Sequence, residues 1–240
     1  MPVKISIPEY ALVVLIGASS SGKSTFARKH FLPTETLSSD FFRALVCDDE
    51  NSLEATDDAF DALHYIAAKR LAGMKLTVVD ATNVQPFARK PLVELARTYH
   101  ALPVALVLNL PEQICRQRNK ERSDRDLGDH VIGRHCRQLR RALKNLQREG
   151  FRRVYVLRSE AEVADAVIER EKLWNNRRGE SGPFDIIGDV HGCFAELREL
   201  LENWATRSTR TASYHRLDAR RSSLATWWTA VLQPRRCYSW

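Results

Sequence analysis

Ala11-Leu-Val-Val-Leu-Ile16 is an unbroken apolar run rich in β-branched residues, and it predicts a strand buried on both faces. Lys75–Asp80, Val104–Asn109 and Arg153–Leu157 repeat that character. Between them the apolar positions recur at helical spacing, predicting helices over Lys23–His30, Ala55–Ala72 and Arg89–His100, with a long basic region from Pro111 to Glu149. A further helix is expected over Glu160–Asn175. Strands alternating with helices imply an α/β fold whose sheet is parallel and whose crossovers are right-handed. No internal repeat is visible. Asn176-Arg-Arg-Gly-Glu-Ser-Gly-Pro183 is polar and Pro-ended, as linkers are. A new strand signal, Phe184-Asp-Ile-Ile187, follows it.

The 240 residues are 44% hydrophobic and 28% charged, which excludes a collagen-like, low-complexity or wholly disordered chain. The formal net charge of +7 is unevenly placed. Residues 203–240 hold seven Arg against one Asp, so the rest of the chain is close to neutral and its overall basicity does not by itself indicate a nucleic-acid partner. Five scattered cysteines with no CxxC pair suggest free thiols in a reducing compartment, hence a cytoplasmic location. The first apolar run is far too short to span a membrane, and no membrane association is expected.

Gly17-Ala-Ser19-Ser20-Ser21-Gly22-Lys23-Ser24-Thr25 fits GxxxxGK[ST] and lies between a predicted strand and a predicted helix, the context this motif requires. Its glycines let the backbone wrap so that successive N–H groups form a nest for phosphate oxygens. The helix beginning near Lys23 adds its positive end. Lys23 can reach β- and γ-phosphates, and the Ser24 hydroxyl can ligate Mg²⁺. The segment therefore predicts a nucleoside triphosphate site.

The phosphate acceptor is read from other residues. Ser38-Ser39-Asp40-Phe41-Phe42-Arg43 falls where the second strand of such a sheet should end, and ligands bind outside the carboxyl ends of parallel strands. A carboxylate there can take a proton from an attacking hydroxyl, and an Arg three residues on can hold an acceptor phosphate. Asp40 also suits a helix N-cap, and Arg43 a solvated surface position. Asp80, at the end of the next strand, fits either a group near Mg²⁺ or an Asx turn closing the strand. Arg118 and Arg122 are four residues apart, hence on one helix face, where two guanidinium forks can clamp a phosphoryl group. Arg134, Arg137, Arg140, Arg141 and Lys144 can meet a polyanion, or simply form a solvated basic helical hairpin. The acidic run Asp48–Asp61 reads as a solvated loop and helix start.

Together these residues resemble the kinase domain of the bacterial polynucleotide kinase-phosphatase family, which repairs broken RNA ends. The likeness rests on Gly17–Thr25, Ser38–Arg43, Val78–Asn83 and Asn109–Arg125, followed by Val131, Ile132 and His135, in order and at spacing over about 175 residues. It implies transfer of the ATP γ-phosphate to a 5′-OH end of RNA or DNA. Lys23 and Ser24 would bind the phosphates and Mg²⁺. Asp40 would be the general base, Arg43 would engage the acceptor's adjacent phosphate, and Arg118 and Arg122 would form the lid. A ligase and a methyltransferase are the partner proteins the family suggests. The rival readings are a P-loop small-molecule kinase and a non-catalytic ATP-dependent switch.

That family continues into a binuclear metallophosphoesterase domain, which when complete takes Mn²⁺ or Ni²⁺. Phe184–Gly192 contains Asp189-Val-His191, the expected first metal-binding motif, but the later motifs do not occur in the sequence. The reading is therefore a P-loop kinase domain over 1–178 and an incomplete phosphoesterase segment over 179–202, with Asp189 and His191 orphaned and no phosphoesterase activity. Residues 203–240, with four of the five Trp and no Lys, are expected to be non-native and disordered. One coding of Ser222–Pro234, read two nucleotides along, yields Val-Val-Gly-Asp-Leu-Val-Asp-Arg-Gly-Pro, which matches the missing second motif and suggests a frameshift.

Overall fold

A computed structural model describes residues 3–122, 127–173, 176, 186–187, 192–208 and 230–231. The chain divides into two units, Met1–Leu173 and Trp174–Trp240. In the first unit the elements run β1 (Lys4–Pro8), β2 (Ala11–Gly17), α1 (Lys23–His30), β3 (Thr36–Ser38), α2 (Ser39–Cys47), α3 (Thr56–Ala72), β4 (Thr77–Asp80), α4 (Pro86–Thr98), β5 (Leu102–Leu108), α5 (Glu112–Lys120), α6 (Asp129–Ala142), α7 (Leu146–Glu149), β6 (Arg153–Leu157), α8 (Glu160–Asp165) and β7 (Val167–Glu171).

Five strands form one sheet in the order β3-β4-β2-β5-β6, and every pairing in it is parallel. The α/β class and the parallel sheet are as the alternating pattern implies. All seven residues of β2 are buried because its side chains feed two separate cores. Leu12, Val14 and Ile16 join Leu63, Leu71 and Leu92 of α3 and α4 on one face. Ala11, Val13 and Leu15 join Phe26 of α1 and Ile5 and Ile7 of β1 on the other. A strand with helices on both sides has no solvated face, so its sequence cannot alternate.

After β4 the chain crosses β2 to enter β5, which makes the carboxyl end of β2 the point where strand order reverses. Crevices form at such points. Register brings Leu15 beside Asp80, Ser38 beside Asp80, and Gly17 beside Leu108. The phosphate loop, the start of α2 and the end of β4 therefore share one edge.

The helix expected over Glu160–Asn175 is overturned. It stops at Asp165, Ala166 is extended and buried, and Val167–Glu171 becomes β7. The reason is a long-range partner: β7 pairs in parallel with β1 from the start of the unit, in a register that runs from Lys4 opposite Val167 to Pro8 opposite Glu171. Pairing satisfies backbone groups that a helix would otherwise satisfy internally, and the β-branched Val167-Ile168 pair suits a strand. The basic region resolves into α5, α6 and α7.

In the second unit β8 (Ile186–Ile187) pairs antiparallel with β9 (Ala230–Val231), and α9 spans Phe194–Ser208. Asp189 and His191 lie outside the described residues, as does most of 203–240. Among the described residues no three His, Cys, Asp or Glu are grouped to hold a metal ion. No described helix is long and apolar enough to cross a membrane.

Candidate functional site

Gly17 ends β2 against β5. A Cβ there would lie 2.7 Å from Ser21 Oγ and 3.0 Å from the Leu108 carbonyl oxygen, so only glycine lets the loop turn this tightly. Gly22 precedes α1 at φ 89°, in the left-handed region that disfavours other residues. The loop thus delivers α1's first N–H groups to the strand edge. Lys23 is buried and its Nζ donates to the carbonyls of Gly17 (3.1 Å) and Ala18 (2.8 Å). These bonds hold the ammonium over the loop. Ser21 Oγ is fully enclosed and makes no hydrogen bond.

Two carboxylates face the loop. Asp80 ends β4 and is buried. Burial pushes its carboxyl above the ordinary aspartate range, Lys23 and a hydrogen bond from Ser24 pull it back, and nearby Asp40 adds to the rise. Asp40 sits in the first turn of α2, whose N-cap is Ser38, accepting from Phe41 N. Arg43, one turn on, pairs with Asp40, and its Nε donates to the Glu50 carbonyl at 2.8 Å. Arg43 is buried rather than a solvated surface charge.

On the opposite wall, Arg118 of α5 donates to the Ser21 carbonyl at 3.4 Å and pairs with Glu160 at the start of α8. α5 ends at Lys120, so Arg122 lies past the helix rather than one turn along it. Both arginines nevertheless line the same cleft. His135 of α6 places Nδ1 3.3 Å from Ser19 Oγ, and Asn119 accepts from Ser20 Oγ at 3.5 Å. Cys115 and Cys136 pack with Ala18 and Ile132 where α5 meets α6. Their mutual hydrogen bond and burial push the Cys115 thiol up.

These residues surround one cleft of about 920 Å³. It contains Ser19, Ser20, Gly22, Lys23, Ser24 and Thr25 of the loop, Asp40, Arg43 and Asp80 on one side, and Arg118, Arg122 and His135 on the other. Gly17 and Ser21 support the loop from beneath. The Ser24 hydroxyl against a buried aspartate is an all-oxygen donor set, which suits a hard divalent cation such as Mg²⁺.

Glu160 is a functional candidate outside the motifs of the sequence, whereas Asn83, Asn119 and His135 fall within them and gain their contacts only in the fold. Asn83 adopts φ 49°, and its side chain donates to the Leu15 carbonyl at 2.9 Å. Beside it, the Thr82 carbonyl accepts from Gly17 N at 3.1 Å. Arg89, 0% exposed, donates to the Asn83 carbonyl and grips Glu149 of α7 through two 2.6 Å bonds. That network fixes the turn forming the cleft wall. The one sequence signal for it is Asn83 closing Val78–Asn83, since a buried Arg–Glu pair sixty residues apart has no local signature.

A family model described as an AAA domain (AAA_33) matches residues 12–148. A chain of the Pnkp1/Rnl/Hen1 RNA repair complex is 25% identical, covering 58% of this chain and 47% of that one, with a TM-score of 0.51. The likeness therefore spans less than half of that chain's length. A gluconokinase from Sinorhizobium meliloti 1021 is 18% identical over 84% of this chain and 99% of that one, at a TM-score of 0.42. Kti12 from Chaetomium thermophilum, in complex with ADP-AlF3, is 19% identical over 64% and 93%, at 0.44. No curated protein matches the chain. The matched segment runs from β2 through most of α7 and carries the phosphate loop, both carboxylates and the arginine wall, so the chain belongs to the AAA domain family as a P-loop kinase-like domain.

Proposed function

We propose that this protein is an ATP-dependent polynucleotide 5′-hydroxyl kinase acting on RNA or DNA ends. The observation that carries the reading is that Asp40 and Arg43 line the cleft that also holds Lys23 and Ser24. A base and a phosphate donor site in one cleft satisfy the positional need of phosphoryl transfer. An exposed aromatic ring on the same cleft, Phe87 (71%), offers a nucleobase a surface to stack on. The 25% identity to a chain of an RNA repair complex points the same way.

In this mechanism Asp40 accepts the proton of the acceptor hydroxyl as its oxygen attacks the γ-phosphorus. The bond to the β–γ bridging oxygen breaks, and ADP leaves. Lys23, Arg118 and Arg122 balance charge spreading over the phosphoryl oxygens. Arg43 keeps Asp40 oriented and presents the remaining guanidinium edge to an acceptor phosphate. Ser24 and Asp80 would hold Mg²⁺, which when bound neutralises phosphate charge. Arg118 already reaches the loop at Ser21 and Gly22 through one guanidinium nitrogen, while Glu160 holds the other.

The test is transfer of labelled phosphate from ATP to a 5′-OH oligonucleotide. Asp40→Ala is expected to lower the rate by about 10²-fold or more with ATP affinity kept. Label moving to a small alcohol and to no oligonucleotide would reject the acceptor assignment. That rival has one observation behind it, since Arg43 already serves Asp40 and Glu50. Full function in the Asp40→Ala protein would instead indicate a nucleotide-driven switch.

A further inference from the structure

α6 buries Ile132, Cys136 and Leu139 on its inner side. Its outer side and the turn beyond carry Arg134, Arg137, Arg140, Arg141, Lys144 and Arg148, all exposed. None forms an ion pair with a described residue: the acids nearest in sequence are engaged elsewhere, Asp129 and Glu112 with Arg116 and Glu149 with Arg89. Arg134, Arg137 and Arg141 stand at i, i+3 and i+7, a single stripe about 10 Å long within the helix. Like charges at that spacing repel, and no acidic side chain of the helix interleaves with them. Between Phe87 and Val167 no described large hydrophobic is exposed. Protein interfaces anchor on buried aromatic and aliphatic groups, and this face has none. A surface with charge and no apolar anchor fits a polyanion whose affinity comes from phosphates and released counterions. The same helix reaches the cleft through His135, whose ring meets Ser19 of the phosphate loop.

We propose that the outer face of α6 and the turn after it bind the sugar–phosphate backbone of the nucleic acid whose end is phosphorylated. This rests on the polynucleotide reading of the cleft and adds where the body of the strand lies. Arginines here act as positioning groups through charge, so the contact carries no base specificity.

The experiment compares the full chain with its Arg134→Gln/Arg137→Gln/Arg141→Gln variant, and with the corresponding triple Arg→Lys variant. Binding of a fluorescent single-stranded 20-mer is titrated without ATP at several salt concentrations. Transfer from ATP is measured in parallel on the 20-mer and on a dinucleotide acceptor. The triple Gln variant is expected to bind the 20-mer at least about tenfold more weakly, with the slope of log K against log salt shallower by about 2 for three lost contacts. The triple Lys variant should bind nearly as the parent does, because phosphate is met as a point charge. kcat on the dinucleotide should not change, and the Gln variant's melting temperature should match or exceed the parent's. Equal 20-mer affinity and equal salt slope in parent and Gln variant overturns the tract. So does tight binding of poly-L-glutamate with no binding of the 20-mer, which would assign the face to an acidic protein. Failure of the parent to label either acceptor, with salt-dependent 20-mer binding still lost in the Gln variant, instead removes the kinase reading and leaves the tract standing.

Discussion

Asp40 and Asp80 are two carboxylates in one cleft with different surroundings. Asp80 is enclosed at the end of β4, whereas Asp40 sits at a helix start in an ion pair with Arg43. The first suits a fixed ligand, the second a base that meets a mobile substrate. The raised Asp80 carboxyl binds its proton more tightly in the folded state, so its ionised form detracts from stability above the folded pKa. That penalty fades as pH falls through the raised value and is gone below the ordinary 3.8. Asp80→Asn is therefore expected to raise the melting temperature at pH 7 in metal-free buffer, to lose that gain as pH is lowered to 4, and to lose Mg²⁺-dependent transfer. Melting curves at three pH values check it, and a gain independent of pH would contradict the assignment of the shift to Asp80. Gly17 is the other decisive single residue. Gly17→Ala drives a methyl into the Leu108 carbonyl and Ser21, at a cost of about 1–3 kcal/mol; chemical denaturation and ATP titration should both register it.

Elements act here through what they hold in place. α7 is a single turn, yet Glu149 grips Arg89 of α4, which in turn holds the Asn83 carbonyl. Removing Glu149 strands the fully buried Arg89 charge, so Glu149→Gln should cost about 3–5 kcal/mol in a urea melt. Replacing both with apolar residues should cost less than Glu149→Gln alone. The strands β2, β4 and β5 were legible as apolar runs, since burial on both faces leaves an uninterrupted pattern, and the half-buried edge strand β6 was legible from its β-branched and aromatic Val154-Tyr155-Val156. β1 and β7 were not. β1 is short and mixes Lys4 and Ser6 with Ile5 and Ile7, and β7 is dominated by charge. Each becomes a strand because the other lies beside it, a pairing across more than 160 residues that no local window contains. α2 was legible only as a strand end with a possible helix cap at Asp40, because Phe41 and Leu45 on its outer side are exposed and blur the helical stripe.

At the scale of the molecule, the first unit contains both cores and the whole cleft. A chain ending at residue 178 is expected to melt in one cooperative transition and to keep ATP-dependent transfer. Calorimetry and the labelling assay on that shorter chain check it, and loss of the transition would show that the kinase-like unit depends on later residues. Charge is also divided across the molecule. Acids crowd residues 48–61 beside α2 and α3, while bases crowd α6. A phosphate-bearing strand is repelled from the first and drawn to the second, so raising salt should weaken long acceptors more than short ones.

The phosphate loop could be read directly from the chain, because a contiguous motif dictates its own backbone geometry: two glycines, a lysine and a hydroxyl at set spacing admit few conformations. The parallel α/β class followed from the alternation of apolar runs with helical spacing for the same local reason. What required the folded molecule were the relations between distant segments. Asp40 sharing a cleft with Lys23, Arg118 held by Glu160, His135 touching Ser19 and Arg89 spanning Asn83 and Glu149 are all contacts between separate elements. Sheet order and helix packing set them, and those are decided by the burial of two apolar cores at once rather than by any stretch of sequence.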